Sequence, residues 1–351
     1  YGMLSRLYLS MAGLTTDGQY NGSNIATDFN RGTRNTYYLD LARQAALKAI
    51  EGPYSLLDSY GSLFAYQTAN NNSESLFQLQ WLTGSTDAIG WGCNNAMQAF
   101  FAWSTMVGET NWGNATYASY DLVREYDPQD RIRRHNTICT VGEYYSELNS
   151  KNGGYTYNVT ESGYDNKCNI KKHVIGKIDD NGQSYQQSSG VNTYMMRLAE
   201  VYLNLAEAIL GNNASTTDET ALTYFNKVRV RAGMPELKSI TYENLRYERR
   251  IEFALEGQYW YDLLRRSYYQ QQEVVNYLNN QERNAGYEWD ESETCQYAKS
   301  SDGTGVATAT VNNLTLPISD VDRGRNPELN NAPIAYEFDE REVTVTDLFN
   351  D

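Results

Sequence analysis

NLRYERRIEFALEGQYWYDLLRR, residues Asn244 to Arg266, sets Glu248, Glu252 and Glu256 four residues apart among Arg246, Arg249 and Arg250, then breaks at Gly257. Spacing of four puts the three carboxylates on one face of a helix. Two chemistries fit such a run. Glycoside hydrolysis needs two facing carboxylates about 5 to 9.5 Å apart, one of them with a raised pKa. A structural ion network needs the same acids paired with Arg, which lowers their pKa and makes them poor general acids. Three like charges in a row need neutralising, and the interleaved arginines supply that. The sequence therefore predicts a scaffold helix tied to its neighbours, with no catalytic residue in it.

Working upstream, Thr241 precedes this run as an N-cap. The preceding pattern, ETALTYFNKVRVRAG from Glu219, has Asp218 and Thr220 as candidate caps and ends at Gly233 with Pro235 beyond. Before it, MMRLAEVYLNLAEAIL starts at Met195, and Tyr194, Leu198, Val201, Leu205 and Ala208 recur at threes and fours, the mark of a buried face. YGMLSRLYLSMAGL from Tyr1 resembles this segment, aligning Leu4 with Leu198, Tyr8 with Tyr202, Leu9 with Leu203 and Ala12 with Ala206. It too is followed by a second helical pattern, YYLDLARQAALKAI from Tyr37. The repeating unit is helix, loop, helix, in the manner of tetratricopeptide pairs but with unequal loops.

The predicted fold is mainly α: a helical scaffold over about 1–56 and 191–275, and a large irregular, loop-rich part over about 57–190 and 276–313 carrying a few short strands. GGYTYNV and KKHVIGKI are the strand candidates, with His173 solvated in the second. From about 314 to 351 an extended tail is expected, broken by Pro317, Pro327 and Pro333 and docked on the helices through Leu316, Ile318 and Leu329. The whole reads as one domain, 1–351.

With 44 acidic against 29 basic residues, the net charge of −15 excludes a nucleic-acid partner, because no basic stripe exists to neutralise phosphates. No stretch approaches the ~20 apolar residues of a membrane span. Two histidines and four dispersed cysteines leave no metal site, no Ser or Cys triad and no cofactor motif. Asp179-Asp180-Asn181-Gly182 starts like a calcium loop but lacks the later ligands, so a turn is expected. A disulfide between Cys139 and Cys168 is one of several pairings that the four cysteines allow.

Thirty Tyr and six Trp exceed what a core requires, and such rings suit surfaces that bind while wet. Sugar binding needs aromatic faces for pyranose rings, flanked by amides and acids for vicinal hydroxyls. Trp81, Trp91, Trp103 and Trp112 lie in one stretch with Asp87, Asn94, Asn95 and Asn111, and Tyr287 and Trp289 lie beside Glu288 and Asp290. Trp103, inside AFFAW, reads as core. The candidate ligand-binding residues are therefore Trp81, Trp91, Asn94, Asn95, Trp112, Tyr287 and Trp289.

In order, MMRLAEVYLNLAEA, FNKVRVRAGMPEL, ERRIEFALEGQYWYDLLRR and LPISDVDRGRNPELNNAP, with the earlier SESLFQLQW and YDPQDRIR, resemble the SusD/RagB family of outer-membrane nutrient-binding lipoproteins of Bacteroidetes. The resemblance spans about residues 1 to 335. It implies an extracellular, mostly helical protein, lipid-anchored at the cell surface, that closes over a TonB-dependent transporter of the SusC type. Such proteins bind oligosaccharides, or in some members peptides, and are not enzymes. The family's first part, with its anchor, is expected to precede Tyr1. Where the family usually carries Arg after Gly257-Gln258, this chain has Tyr259, so one ion pair is expected to be missing and a neighbouring acid to find another partner or water. Asp322 and Ser319 also depart from the family's usual Glu and Pro. An intracellular tetratricopeptide scaffold is the remaining alternative, and it predicts free thiols.

Overall fold

A computed structural model describes residues 1–82, 95–108, 116–158, 168–175, 184–185, 188–283, 287–289, 297–299 and 308–331. The scaffold comprises α1 (Gly2–Leu14), α2 (Thr36–Ile50), α7 (Leu198–Leu210), α8 (Glu219–Arg231), α9 (Tyr242–Glu252), α10 (Tyr259–Ser267) and α11 (Gln271–Asn279). Among the described residues, four short helices run between its halves, α3 (Met97–Phe101), α4 (Ser104–Val107), α5 (Tyr120–Val123) and α6 (Arg131–Thr137), and α12 (Asp320–Arg325) lies in the tail. Strands occur as two-stranded antiparallel ladders: β1 (Ser75–Leu79) with β6 (Thr193–Arg197), β2 (Tyr144–Tyr145) with β3 (Tyr155–Thr156), β4 (Ser184–Tyr185) with β5 (Ser188–Ser189), β7 (Ser215–Thr216) with β8 (Ile240–Thr241), and β9 (Tyr287–Trp289) with β10 (Tyr297–Lys299). The protein is mostly helical, as its periodicity predicts.

Helices α1, α2, α7 and α8 pack in that order, each against the next. The two matching segments thus open two successive helical pairs. Helix α7 is buried almost all round, from Leu198, Val201 and Leu205 to Asn204 and Glu207, because α1, α2, α8 and α9 surround it. One buried face is what its apolar spacing predicts; the polar positions are buried as well, and are satisfied by partners. Asn204, for example, donates to Ser5 Oγ and accepts from Arg249. Close approach needs small residues: a Cβ on Gly13 of α1 would stand 3.0 Å from Tyr268 Cβ and 3.3 Å from the Arg265 carbonyl. The caps fall where the sequence places them. Asp218 accepts from the Ala221 N–H, and Thr241 and Asn244 form a reciprocal capping box.

The opening run ends its helix at Glu252. Leu255 and Gly257 take left-handed backbone conformations, with φ of 65° and 76°, so Glu256 leaves the helical face and turns inward. The three glutamates are buried, and their partners come from other elements rather than from Arg246, Arg249 and Arg250. Arg133 of α6 pairs with Asp130, Glu248 and Glu252. Arg197, at the end of β6, pairs with Glu74, Glu252 and Glu256. Arg229 holds Glu248, Arg231 holds Glu74 and Glu252, and Lys172 holds Glu256. Five carboxylates meet five cations, which is the condition for burying so much charge at all. The interleaved arginines bind elsewhere: Arg249 to Asp262, Arg250 to Asp121 and Glu125, Arg246 to Glu243 and Glu125.

The acid preceding Tyr259 in the chain finds other partners, one of the two outcomes expected for it. Glu256 takes Lys172 at 2.8 Å and Arg197 at 2.9 Å. Tyr259 instead bonds the Tyr277 hydroxyl and accepts from Gln281, with the Arg250 guanidinium 4.9 Å from its ring centre.

Four expectations are corrected. KKHVIGKI does not open as a strand: Lys172 and His173 sit in a turn, His173 with φ of 68°. His173 is buried, not solvated, with Nε2 against the Leu255 carbonyl at 3.2 Å, because it and Lys172 clamp the turn that follows α9. Cys139 and Cys168 are free thiols rather than a disulfide, and Cys168 Sγ donates to the Cys139 carbonyl. In the tail Leu316, Ile318 and Leu329 are exposed, Leu316 at 95 %; the docked residue is Leu314, which packs on Leu263, Val274 and Leu278. The calcium-like Asp179-Asp180-Asn181-Gly182 lies outside the described residues.

Candidate functional site

The charge network supports the β1–β6 ladder directly. Glu74 precedes β1 and Arg197 ends β6; their side chains pair at 2.9 Å, and the Leu198 N–H donates to the Glu74 carbonyl. Above this fixed base, Gln78 faces Tyr194 and Leu79 faces Thr193. The strand alternates as expected, with Gln78 and Tyr194 inward and Phe77 and Leu79 outward.

Two residues past β1 comes Trp81, half-buried. Its backbone N–H donates to Asn192 Oδ1 at 3.0 Å and its indole N–H to Thr193 Oγ1 at 2.9 Å. These bonds restrain the ring, because the backbone at Trp81 and the indole's only donor are both tied to Asn192 and Thr193. Amides surround it. Asn192 donates to Gln80 at 2.8 Å and to Gln78 at 3.2 Å, and Gln80 donates to Asn71 Oδ1 at 3.0 Å. Asn70 braces the group by accepting from the Asn192 N–H and donating to the Gly190 carbonyl. Gln78 and Asn192 are buried, while Asn71 and Gln80 are exposed. A fixed aromatic bordered by exposed primary amides offers an apolar face together with paired donors and acceptors.

Asn95 has a different part. It is buried; its amide donates to the Val191 carbonyl, its oxygen accepts from the Met97 N–H, and its backbone exchanges two bonds with Ser189. With both ends of its side chain spent, it holds the chain and leaves no amide for a ligand. Trp81 and Asn95 thus anchor the two ends of segment 83–94 on the same short stretch, 189–193. Trp91 and Asn94, with Asp87, belong to that segment and lie outside the described residues, as do Trp112 and Asn111. Tyr287 and Trp289 form β9, where Trp289 lies opposite Tyr297. Trp103 is core: buried, its indole N–H on Tyr155 and its ring stacked 5.6 Å from Tyr157.

Sequence reading missed Asn71, Gln78, Gln80, Asn192 and Thr193. A signal existed in the alternating glutamines of FQLQW beside the Asn70-Asn71-Asn72 run. Nothing local, however, points from Trp81 to residues more than a hundred positions away.

The acids of the opening run do not form a competing site. Burial would raise the Glu252 carboxyl, but Arg231, Arg197 and Arg133 outweigh it and hold its pKa at about 2. For Glu256 too, Arg197 and Lys172 overcome burial and lower it. A general acid needs the opposite shift.

The SusD family model matches residues 57–334 of this chain. The chain belongs to the SusD family. A SusD-like protein of Bacteroides ovatus is 36 % identical over 363 aligned residues, covering 97 % of this chain and 61 % of the relative. The starch-binding protein SusD of Bacteroides thetaiotaomicron is 24 % identical over 326 residues, covering 82 % of this chain and 55 % of its own length. The chain thus spans little more than half the length of these SusD relatives. Among solved structures, one determined with a xylogluco-oligosaccharide has a TM-score of 0.80 and 33 % identity, covering 97 % of this chain and 67 % of that one. A SusD superfamily protein from Parabacteroides distasonis, 19 % identical over 93 % of this chain and 60 % of its own, shares the fold with a TM-score of 0.59.

Proposed function

We propose that this chain is the glycan-binding part of a non-catalytic cell-surface protein that captures oligosaccharides and passes them to a TonB-dependent transporter of the SusC type. The observation that carries the reading is Trp81, locked by Thr193 and Asn192 and bordered by the exposed amides of Asn71 and Gln80. The xylogluco-oligosaccharide bound to a 33 % identical relative supports it. Trp91, Asn94, Trp112, Tyr287 and Trp289 are proposed as further ligand contacts. Attachment to the outer membrane is assigned to a lipid anchor, in keeping with the family; among the described residues no helix is long and apolar enough to cross a membrane.

Titration calorimetry of the intact protein against xyloglucan-derived, malto- and other oligosaccharides tests this. Binding is expected to one glycan class, and Trp81→Ala should weaken it at least tenfold, the order lost when a central aromatic anchor is truncated. Absence of binding to every glycan, with binding to peptides in the same assay, would replace the reading with a peptide receptor.

A further inference from the structure

A recess lined by none of the residues around Trp81 lies elsewhere on the protein. It has a volume of about 250 Å³ and is formed where residues 59–67 cross α6 and the 171–175 turn. Its chemistry differs from that of the buried network nearby. The hydroxyls of Ser59, Ser62 and Tyr66 and the amide of Gln67 point to no protein partner among the described residues. Asn136 donates its side-chain N–H to the Ile132 carbonyl at 2.9 Å, and among the described residues no protein group donates to its side-chain oxygen. That oxygen stands 2.6 Å from where a Cβ on Gly61 would be, so the missing side chain at Gly61 keeps the oxygen clear. Phe64, Val174 and Ile175 supply an apolar part of the wall.

Charge at the recess is already balanced. Lys171 is buried, and its ammonium pairs with Glu147 at 2.6 Å. Partial burial would raise the Glu147 carboxyl, yet Lys171 outweighs it and lowers its pKa, so the carboxylate is held against the Lys171 side chain. A charged ligand gains nothing from such a site, whereas a neutral molecule with many hydroxyls and one apolar face can satisfy both the free groups and the wall. Pockets for drug-sized ligands measure about 300–1,000 Å³; this recess suits something smaller.

We propose that this recess is a second carbohydrate site, taking a single neutral sugar residue. It does not depend on Trp81 being the main platform, since no residue is shared. A ligand of about a dozen heavy atoms binds at about millimolar Kd. Saturation-transfer NMR on the intact protein with free glucose, galactose and xylose, each titrated to saturation, reads it. At least one of the three should give a saturable signal that disappears in Ser62→Leu, falls severalfold in Gln67→Ala and persists in Trp81→Ala. Gln67 is exposed and has no side-chain partner among the described residues, so its variant decides the matter even where Ser62→Leu fails to fold, as judged by circular dichroism. No saturable signal from any of the three sugars, or a signal unchanged in Gln67→Ala, overturns the proposal. Loss in Trp81→Ala alone also overturns it and assigns the sugar to the main platform.

Discussion

Glu252→Gln keeps the shape of the side chain and removes its charge from the centre of the buried network. Arg133, Arg197 and Arg231 would then share one fewer carboxylate in a place that water does not reach. The structure sets the magnitude in two ways. The drop in pKa from the ordinary 4.5 to about 2, at about 1.4 kcal/mol for each tenfold change in proton affinity, corresponds to roughly 3 kcal/mol of stability. Breaking a buried ion pair by removing one partner costs about 3–5 kcal/mol, which agrees. Because the folded pKa is depressed, this stability is complete above about pH 4.5 and is lost as the pH falls toward 2. Urea unfolding at pH 7 should therefore show Glu252→Gln less stable than wild type by about 3 kcal/mol, with the gap closing between about pH 4.5 and 2. Glu243→Gln is the control: its carboxylate is 63 % exposed and pairs with Arg246, so a change below about 1 kcal/mol is expected. Equal, small effects in both variants would refute the claim that the network holds the fold.

Thr193→Val frees the indole of Trp81 without touching its face, and a severalfold loss of glycan affinity by calorimetry is expected; unchanged affinity would mean that the bond does not orient the ring. Tyr259→Arg restores the family's usual residue but sets a second cation against Arg250, so chemical denaturation should show a loss of about 1–2 kcal/mol rather than a gain. Leu205→Ala, at a fully buried position in α7, should cost about 2–5 kcal/mol in the same assay. Cys139 and Cys168 should resist iodoacetamide until the protein unfolds, as read by peptide mass spectrometry, because both are buried and burial pushes the Cys139 thiol up; labelling of either in the native state contradicts the structure.

Local rules carried the helices a long way. The threes and fours of Leu198, Val201 and Leu205 locate α7, Asp218 and Thr241 locate two starts, and the break at Gly257 separates α9 from α10. The same local logic misassigned the partners of Glu248, Glu252 and Glu256, because spacing along a helix reveals neighbours only within a turn or two. The true partners, Arg133, Lys172, Arg197, Arg229 and Arg231, lie on other elements. It likewise set Lys172 and His173 on a solvated strand, although three-dimensional packing buries them against the turn after α9.

By itself, then, the sequence determined the helical class, the repeated pairs, their caps and the non-catalytic character of the charged run, since each depends on backbone hydrogen bonds and side chains a few residues apart. Only the tertiary structure decided which charges meet, that Glu256 has a partner despite Tyr259, and that Trp81 is held by Asn192 and Thr193 while Asn95 is spent as a clamp. The physical reason is the same in each case. A buried charge or amide must be satisfied by whatever group the packed chain brings within about 3 Å, and that group is chosen by how the helices stack, not by its distance along the sequence.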